Sequence, residues 1–542
     1  METAPFDVLG ASPGNRVLFN MAAPQEVHLS ELVACLALAT DLGMGQPLEH
    51  GLRTCLLAVR VGESLGMGDE ELADAYYIAL LRFVGCNAHA HRDSLETGDE
   101  IAFRAGVAPV LNGGTPGMLR FVVTRIGAGL PASSRVRMAA GALAAGPEGA
   151  REAIANTCEV AQMIAARLGM PPGVVSGLEF TYEHHDGGGQ PAGASGEEIP
   201  PAAHLVMVAR DFEVLYRLGG RQMVLEAAQK RRGRAYEPRI LDGFLDHAWE
   251  LLEAGEPAAG WETVIAADPR PRVLTGPQLA EALECMADFS DIRSPFTLGY
   301  SLKVAELVGI AAGHADTGAR QVDTLRAGAL VQELGMTSLS SAVLHKAGPL
   351  TDGEWERVRL HPYLTERILA RCPGLAPIGS LAGAHHERPD GTGYHRGSSG
   401  TQLTPAARLL AAAGAYVAML SERPWRPAMP SGRAAAQLRE LADSGAFDPD
   451  AVEAVLAAAG EPVVPRRRTR PAGLTDREVQ VLQLIARGHS NRRVAERLVI
   501  SVKTVGRHVE NIYAKTGVST RAGAAMFALQ HGLSIPPDPS DR

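Results

Sequence analysis

The sequence lacks several features that mark particular classes of protein. Its six cysteines include no Cys-x-x-Cys pair, which argues against a disulfide framework and a thiolate zinc site, so we expect buried, reduced thiols. No apolar run reaches the ~18 residues that a membrane-spanning helix needs. The first residues also lack the basic-then-apolar order of a signal peptide. We therefore expect a cytoplasmic protein that does not bind membranes.

Alternating runs of Val, Ile and Thr are scarce as well, which argues against an extensive β-sheet. Apolar residues instead recur at three- and four-residue spacing almost everywhere, and Ala and Leu abound. The sequence thus predicts an all-α fold. Its 542 residues are enough for about three domains.

Most of the chain has no excess of basic residues. The formal net charge is -9, yet residues 466–533 hold 13 Lys or Arg against 4 Asp or Glu and so carry +9. Residues 534–542 carry -1, which leaves -17 for the first 465 residues. An acidic body with a small basic segment indicates that only this segment contacts a polyanion.

A long internal duplication precedes the basic segment. Three pairs of segments recur in the same order: ALLRFVG (79–85) with ALVQELG (329–335), EHHDGGGQPAG (183–193) with ERPDGTGYHRG (387–397), and GRAYEPRILDGFL (233–245) with DSGAFDPDAVEAV (443–455). The offset falls from 250 to 204 between the first two pairs, so the first copy has 46 extra residues. We place this insertion within about 92–160. The pattern predicts two related helical domains before the basic one.

The basic segment contains its own helix signals. Thr475 and Glu478 form a Thr-x-x-Glu capping box, and Gly488 ends the first helix. Ser490 and Ser501 can cap a second and a third helix. The sequence therefore predicts a helix-turn-helix unit.

The third helix of this unit has two distinct faces at 100° per residue. The predicted inner face consists of Val502, Val505, Val509, Ile512 and Thr516. The outer face offers cations for phosphates, an Arg that can pair with guanine and an Asn suited to adenine. The candidate DNA-binding residues are Ser490, Asn491, Arg492, Lys503, Thr504, Arg507, His508, Asn511 and Lys515. A solvated charged face is the alternative, and the caps and the turn favour DNA binding over it.

The segment resembles the LuxR-type (NarL-like) helix-turn-helix family, whose pattern LTxRE…GxSNxxIAxxLxIS…TVxxH…I…K it follows over about 60 residues. The resemblance implies a four-helix domain of a transcription regulator that binds double-stranded DNA. A fourth helix, from about Arg521 to His531, is rich in small residues and implies a homodimer, with packing inside its own domain as the alternative. Gly506 stands where the family often has Lys. It either removes a phosphate contact or lets the backbone approach the DNA.

The second copy concentrates histidines in HHERPDGTGYH (385–395), LHKAGPLT (344–351) and the His-Pro pair at 361–362. Imidazoles suit iron, manganese or zinc, and a carboxylate-rich site with two or three metals can activate water for attack on a phosphodiester. Residues 295–460 resemble the HD-GYP phosphodiesterases, with HHExxDGxGY as the specific signal.

Several ligand positions implied by this resemblance are changed. Tyr300 replaces the first His, Gln332 and Glu333 replace the His-Asp pair, and Gly414 replaces the late Asp. Neutral side chains cannot offset clustered divalent charge. We therefore expect a protein that is not an enzyme and needs no cofactor. A single divalent metal in the second copy is the option left open, with the ligands His361, His385 and His386, and with Glu333 as a further ligand. Ordinary hydrogen bonds of these histidines are the alternative.

The first copy departs further from the family. Its His50 stands where the first His belongs, but Arg82 and Phe83 replace the His-Asp pair, and Arg210 replaces the late Asp. Because an Arg repels a cation, we do not expect a metal there. The turn at 183–193 keeps its shape-determining residues.

The sequence thus predicts an N-terminus without fixed structure (1–25), a degenerate HD-GYP-like domain (26–255), a connector (256–294), a partly degenerate second copy (295–460), a linker (461–473), a LuxR-type domain (474–533) and a tail (534–542). We expect a transcription regulator whose body senses an unknown small-molecule or nucleotide effector, or dimerises. The alternative is a metal-dependent cyclic di-GMP phosphodiesterase fused to a DNA-binding domain.

Overall fold

The computed structural model describes residues 26–107, 110, 115–127, 130–254, 260–314, 319–462, 471–531 and 533. In this part of the chain nearly all regular structure is helical, and one two-stranded antiparallel sheet pairs Val27–His28 (β1) with Val273–Leu274 (β2). The prediction of an all-α fold is confirmed. Predictions for 1–25, for 534–542 and for most of the linker lie outside the described residues.

The described residues form two compact units. One contains the residues up to 398 together with 405–461, and the other contains 399–404 and the residues from 462 onward. None of the described helices is both long enough and apolar enough to cross a membrane. All six cysteines are free and buried, as the sequence predicts.

The first copy and the segment that follows it contain twelve described α-helices. They are α1 (Leu29–Gly43), α2 (His50–Ser64), α3 (Asp69–Leu81), α4 (Ala90–Thr97), α5 (Glu100–Val107), α6 (Thr115–Arg125), α7 (Ala132–Arg167), α8 (Pro172–Gly177), α9 (Pro201–Arg231), α10 (Pro238–His247), α11 (Trp249–Ala254) and α12 (Trp261–Ala266). Gly146 interrupts α7, and Gly219 and Gly220 interrupt α9. Short 3-10 helices cover Val84–His89, Leu178–Phe180 and Gly196–Glu198.

The second copy repeats this order with shorter connections. Its described α-helices are α13 (Gly276–Asp291), α14 (Tyr300–His314), α15 (Ala319–Val331), α16 (Ser341–Leu344), α17 (Asp352–Leu369), α18 (Ala376–Ala382), α19 (Pro405–Leu420), α20 (Ser431–Asp443) and α21 (Pro449–Ala458). A 3-10 helix at Leu334–Ser338 separates α15 from α16.

Equivalent hydrogen bonds show which helices correspond in the two copies. Asp41 in α1 accepts a hydrogen bond from the N–H of Gly51 in α2 (3.1 Å). In the same way, Asp291 at the end of α13 accepts one from the N–H of Ser301 in α14 (2.8 Å). Helix α13 is therefore the counterpart of α1, although it lies in the segment predicted as a connector.

Two glycines allow the same close helix contact in both copies. A Cβ at Gly335 would lie 2.1 Å from the carbonyl oxygen of His361, and one at Gly85 would lie 1.9 Å from that of Thr157. Only glycine fits at such a contact. Thr157 thus occupies the place of His361, and the extra residues of the first copy lie between Gly85 and Thr157.

One apolar core runs through both copies. A buried ion pair also joins them: Arg293 contacts Glu100 of α5 at 2.6 Å, and both side chains are almost fully buried. Glu100 further accepts hydrogen bonds from the Ser340 hydroxyl and the Ser341 N–H, both at 2.8 Å. Because a buried charge that loses its partner is strongly destabilising, this network holds the two copies in one arrangement.

The C-terminal unit contains four helices: α22 (Asp476–Ala486), α23 (Asn491–Leu498), α24 (Val502–Thr516) and α25 (Arg521–Gln530). The predicted capping box is confirmed, because the Thr475 hydroxyl accepts from the Glu478 N–H and the Glu478 carboxylate accepts from the Thr475 N–H. Ser490 and Ser501 cap α23 and α24 as predicted. Gly488 ends the first helix at φ +82°.

The inner face of α24 is confirmed at Val505, Val509 and Ile512, which are buried. Val502 is different, because it is the first residue of the helix and its side chain is 50% exposed beyond the edge of the core. In α25, Ala524 and Ala528 are buried, and α25 packs on α22. These small residues are used inside the domain, and a homodimer remains a prediction.

Candidate functional site

Four potential metal ligands of the second copy meet at one place. Glu333 follows α15, His361 lies in α17, and His385 and His386 follow α18. One ligand atom from each of the four lies within 4.8 Å of all the others, and no other such group occurs in the described residues. The structure thus brings together the three predicted histidines and the additional carboxylate.

The backbone fixes which nitrogen of each ring faces the cluster. The Nδ1 atom of His361 lies 2.6 Å from the carbonyl oxygen of Val358, and Nδ1 of His385 lies 2.6 Å from that of Ala382. A carbonyl can only accept, so both Nδ1 atoms carry a proton, and in the neutral imidazole each Nε2 atom then carries the lone pair. Such hydrogen bonds are typical of histidines that ligate metals.

The local sequence explains why these two carbonyls are available. In a regular helix the carbonyl of Val358 would accept from the N–H of residue 362, but Pro362 has no N–H. Ala382 is the last residue of α18, where carbonyls lack a helical partner. The Val358 carbonyl is thus left for the His361 ring, and the Ala382 carbonyl accepts both from the His385 N–H, at 3.3 Å, and from the His385 ring.

The geometry of the cluster fits a cation. The Nε2 atoms of His361 and His385 are 3.1 Å apart, and they lie 3.9 and 3.5 Å from the Glu333 carboxylate. Lone pairs and a negative charge at such distances repel one another unless a positive charge lies between them. Nitrogen and carboxylate donors suit iron, manganese or zinc.

The pKa values of the cluster also favour a bound cation. Burial opposes ionisation of Glu333, but its contacts with His385 and His361 and the nearby Arg423 outweigh burial and lower its pKa to about 2. Burial lowers the pKa of His361 to about 4, and burial together with the neighbouring histidines lowers that of His386 well below its usual range. At neutral pH Glu333 is therefore a carboxylate, and His361 and His386 are neutral imidazoles, the protonation states that a metal requires.

The remaining ligand positions of the family pattern hold no second set of donors. The Tyr300 hydroxyl donates to the carbonyl of Gly414 at 3.1 Å, and a Cβ at Gly414 would lie 3.2 Å from that hydroxyl. Tyr300, which replaces the first His, thus fills the space left by Gly414, which replaces the late Asp. Gln332 is fully buried, and neither of its amide atoms has a hydrogen-bond partner. The described residues therefore contain one group of four potential ligands.

The corresponding place in the first copy is occupied by a guanidinium group. The Nη2 atom of Arg82 lies 2.8 Å from Nε2 of His50. The Nδ1 atom of His50 lies 2.5 Å from the Glu213 carboxylate. Both nitrogens of His50 are thus engaged. Burial lowers the pKa of His50 to about 4. Arg210 pairs with the adjacent Asp211 at 2.8 Å. This arrangement is an ion-paired core in which His50 offers no lone pair to a metal.

Sequence reasoning missed the side chains around the cluster of the second copy. Tyr394 stacks on His386 with ring centroids 4.6 Å apart, and the Tyr300 ring lies under the Arg423 guanidinium. Burial raises the pKa of Tyr394, Glu333 adds to this effect, and Arg388 and Arg359 oppose it. Tyr394 belongs to the HHExxDGxGY motif, whereas no sequence signal marks the arginines. Their charges provide surroundings that favour an anionic ligand.

The predicted DNA-binding residues divide into two groups. Seven are exposed on the domain surface: Ser490 and Lys515, which also make contacts inside the domain, and Arg492, Lys503, Thr504, Arg507 and Asn511. The others are half-buried or make contacts inside the domain. The Ser490 hydroxyl caps α23, and the Asn491 amide oxygen accepts from Arg521 at 3.0 Å. His508 is half-buried.

Lys515 makes contacts inside the domain, and Gly506 has open space where a side chain would lie. The Lys515 ammonium donates to the Glu478 carboxylate at 2.7 Å and to the Gly473 carbonyl at 3.0 Å, so its charge is largely used within the domain. A Cβ at Gly506 would meet no atom within 4 Å. The domain itself therefore does not require glycine at this position.

Comparison with known proteins agrees with both parts of the chain. Residues 284–451 match the family described as "HD domain", and residues 472–528 match "Bacterial regulatory proteins, luxR family". The chain is 30% identical over 441 residues to the 3'3'-cGAMP-specific phosphodiesterase 3 of Vibrio cholerae, covering 79% of this chain and 94% of that protein. It is 47% identical over 60 residues to the response regulator protein VraR of Staphylococcus aureus, covering 11% of this chain and 29% of VraR.

A solved structure matches as well. The crystal structure of a cyclic GMP-AMP specific phosphodiesterase of V. cholerae (V-cGAP3) superposes with a TM-score of 0.54 at 25% sequence identity, covering 81% of this chain and 99% of that one. The likeness thus includes both copies and is not confined to the histidine motif.

These findings overturn the expectation that the protein is not an enzyme. That expectation rested on four replaced ligand positions, whereas the similarity to a named phosphodiesterase extends over most of the chain and the structure retains a group of four potential ligands. The expectation that no cofactor is needed is not confirmed, because these four residues form a possible metal site. The chain belongs to the HD-GYP phosphodiesterases and carries, in addition, a C-terminal DNA-binding domain of the luxR family.

Proposed function

We propose that the protein is a metal-dependent phosphodiesterase that hydrolyses a cyclic dinucleotide and also binds promoter DNA through its C-terminal domain. The observation that carries the enzymatic part is the cluster of Glu333, His361, His385 and His386. The substrate class comes from the relatives, of which the one matched over most of the chain is named as specific for 3'3'-cGAMP. Cyclic di-GMP is the second candidate that the HD-GYP resemblance implies.

The four residues of the cluster would hold a single divalent ion. When bound, such an ion supplies Lewis acidity toward a phosphoryl oxygen and lowers the pKa of water. The residues of the chain fix the geometry: Glu333 contributes the anionic charge, and the carbonyls of Val358 and Ala382 hold the imidazoles in place. Arg423 and Arg388 provide positive charge for the phosphodiester.

Metal content tests the site. We expect one ion of iron, manganese or zinc per chain after loading and dialysis, because Tyr300 and Gly414 close the neighbouring position. A variant with both His361→Ala and His385→Ala should lose the ion, whereas His247→Ala, at an exposed histidine of α10, should keep it. Elemental analysis provides the measurement. Two or more ions per wild-type chain, or none, would contradict the assignment.

The role of Pro362 gives a second prediction. Pro362→Ala restores an N–H that competes with His361 for the Val358 carbonyl, so metal affinity should fall about 10- to 100-fold. Thermal stability of the metal-free protein should rise, because a proline inside a helix costs ~3 kcal/mol. Metal titration and thermal melts measure the two effects. Pro449→Ala, at the start of α21, is the control and should leave metal affinity unchanged. Unchanged affinity in Pro362→Ala would contradict the role assigned to this carbonyl.

The regulatory part of the proposal concerns the C-terminal domain. Lys503, Thr504, Arg507 and Asn511 on α24, with Arg492 on α23, would contact double-stranded DNA, and exposed Met526 and Leu529 on α25 would pair two copies of the domain. The body would act as a sensor through its nucleotide, provided that the nucleotide binds two states of the protein unequally. DNA and nucleotides meet in the cytoplasm, the location we propose.

We propose domain limits that differ from the sequence-based ones at one point. The first copy covers 26–255, with its insertion between Gly85 and Thr157. The second copy begins with α13, near residue 276, because this helix is equivalent to α1. It ends near 460, and the LuxR-type domain covers 474–533.

A further inference from the structure

A large aromatic side chain near the cluster is left open to solvent. Trp355 lies in the first turn of α17, the helix that carries His361, and it is 40% exposed. Its ring contacts Tyr394 edge-on, with centroids 6.1 Å apart, and Tyr394 in turn stacks on His386 at 4.6 Å. Trp355 is thus separated from a metal-ligand candidate by a single ring.

The Trp355 ring is also held in position. The guanidinium carbon of Arg359, one helical turn later, lies over the ring at 5.6 Å from its centroid. Arg359 in turn pairs with Glu356 at 3.1 Å. An indole between an arginine and a tyrosine loses little further rotamer freedom when a ligand binds. The ring is therefore a preformed surface beside a site whose surroundings are positively charged.

We propose that Trp355 is the platform on which a purine base of the substrate stacks while its phosphodiester lies at the cluster. This proposal rests on the proposed function and adds the part of the substrate that the metal ligands cannot recognise. Base stacking on an aromatic ring needs solvent-accessible ring surface near the phosphate position, and Trp355, which is 40% exposed, provides such a surface.

Stacking makes a specific kinetic prediction. Trp355→Leu removes the aromatic face, so the KM for 3'3'-cyclic GMP-AMP should rise about 10-fold or more, the usual effect of one lost base stack. The kcat should change little, because the cluster is intact. Trp355→Phe should retain most of the affinity. Leu360→Ala, at an exposed residue of the same helix, is the control and should behave as wild type.

Binding is measured without turnover on the manganese-loaded, full-length protein. A phosphorothioate analogue of 3'3'-cyclic GMP-AMP, which resists hydrolysis, should quench tryptophan fluorescence in wild type, and Trp355→Phe should remove most of the quenching. Weaker binding of the analogue to Trp355→Leu than to wild type, with an unchanged metal content, supports the platform. Equal affinity of wild type and Trp355→Leu, or no binding of the analogue to wild type, overturns it.

The two proposals can fail separately. If wild type binds the analogue through Trp355 but hydrolyses no cyclic dinucleotide, the proposed function is wrong and the platform stands. If wild type hydrolyses the nucleotide and Trp355→Leu does so with the same KM, the platform is wrong and the proposed function stands.

Discussion

Glu333→Ala is expected to reduce hydrolysis of a cyclic dinucleotide by at least about 100-fold, because even the loss of a partner outside the metal ligands costs 10- to 100-fold. Glu333 is the one carboxylate among the four grouped side chains, and imidazole ligands alone leave the charge of a divalent ion uncompensated. The measurement is the initial rate with manganese in excess. Metal content of the variant should fall in parallel with the rate.

Two further variants make this result specific. Glu262→Ala removes an exposed carboxylate of α12 and should have the wild-type rate. Glu333→Asp keeps the charge but shortens the side chain, so it should retain more activity than the alanine variant. A Glu333→Ala protein that is folded and keeps a tenth or more of the wild-type rate would show that the cluster does not carry the reaction.

Arg507→Ala is expected to weaken binding to a selected operator fragment by ~1–3 kcal/mol and to relax base preference at one position, if Arg507 pairs with a guanine. Arg507 is exposed on α24, opposite the buried Val505 and Val509. Lys503→Ala should instead weaken binding to all sequences alike and reduce the salt dependence by about one charge. Titrations at several salt concentrations separate the two effects.

Arg507→Lys is the matched variant for this test. It keeps the positive charge but cannot form the two parallel hydrogen bonds of a guanidinium, so it should recover non-specific affinity without recovering base preference. If Arg507→Ala and Lys503→Ala both bind the operator fragment as wild type does, α24 is not the helix that contacts DNA.

Much of the C-terminal domain could be predicted because its signals are local. Caps such as Thr475 and Ser490 act within one helical turn, and the position of Gly488 follows from the same short-range rules. The exceptions depend on tertiary contacts. Val502 has the right spacing for the core but lies beyond its edge, and Lys515 faces Glu478, which is distant in sequence.

The candidate metal site was predicted in part. The motif pointed to His361, His385 and His386, but residue identity alone does not show that Glu333 lies 3.5 Å from His385. Nor does it show that Tyr300 fills the place left by Gly414. The expectation of no enzymatic activity is wrong because it considers each replaced ligand position separately. In the folded chain these replacements leave one group of four donors intact.

The duplication is predicted from three short matches, and the limits of its two copies remain a proposal. The correspondence of α13 with α1 depends on hydrogen bonds between consecutive helices, Asp41 to Gly51 and Asp291 to Ser301, which have no distinctive sequence pattern. The buried pair of Glu100 and Arg293 was equally invisible, since its partners are 193 residues apart.

The proposed function is tested most directly by hydrolysis of 3'3'-cyclic GMP-AMP and cyclic di-GMP by the purified protein before and after chelation. We expect that at least one of the two nucleotides is hydrolysed, that EDTA abolishes the reaction, and that about one equivalent of manganese, iron or zinc per chain restores it. Failure of the metal-loaded protein to hydrolyse either nucleotide, or hydrolysis that persists at full rate in EDTA, would contradict the proposed function.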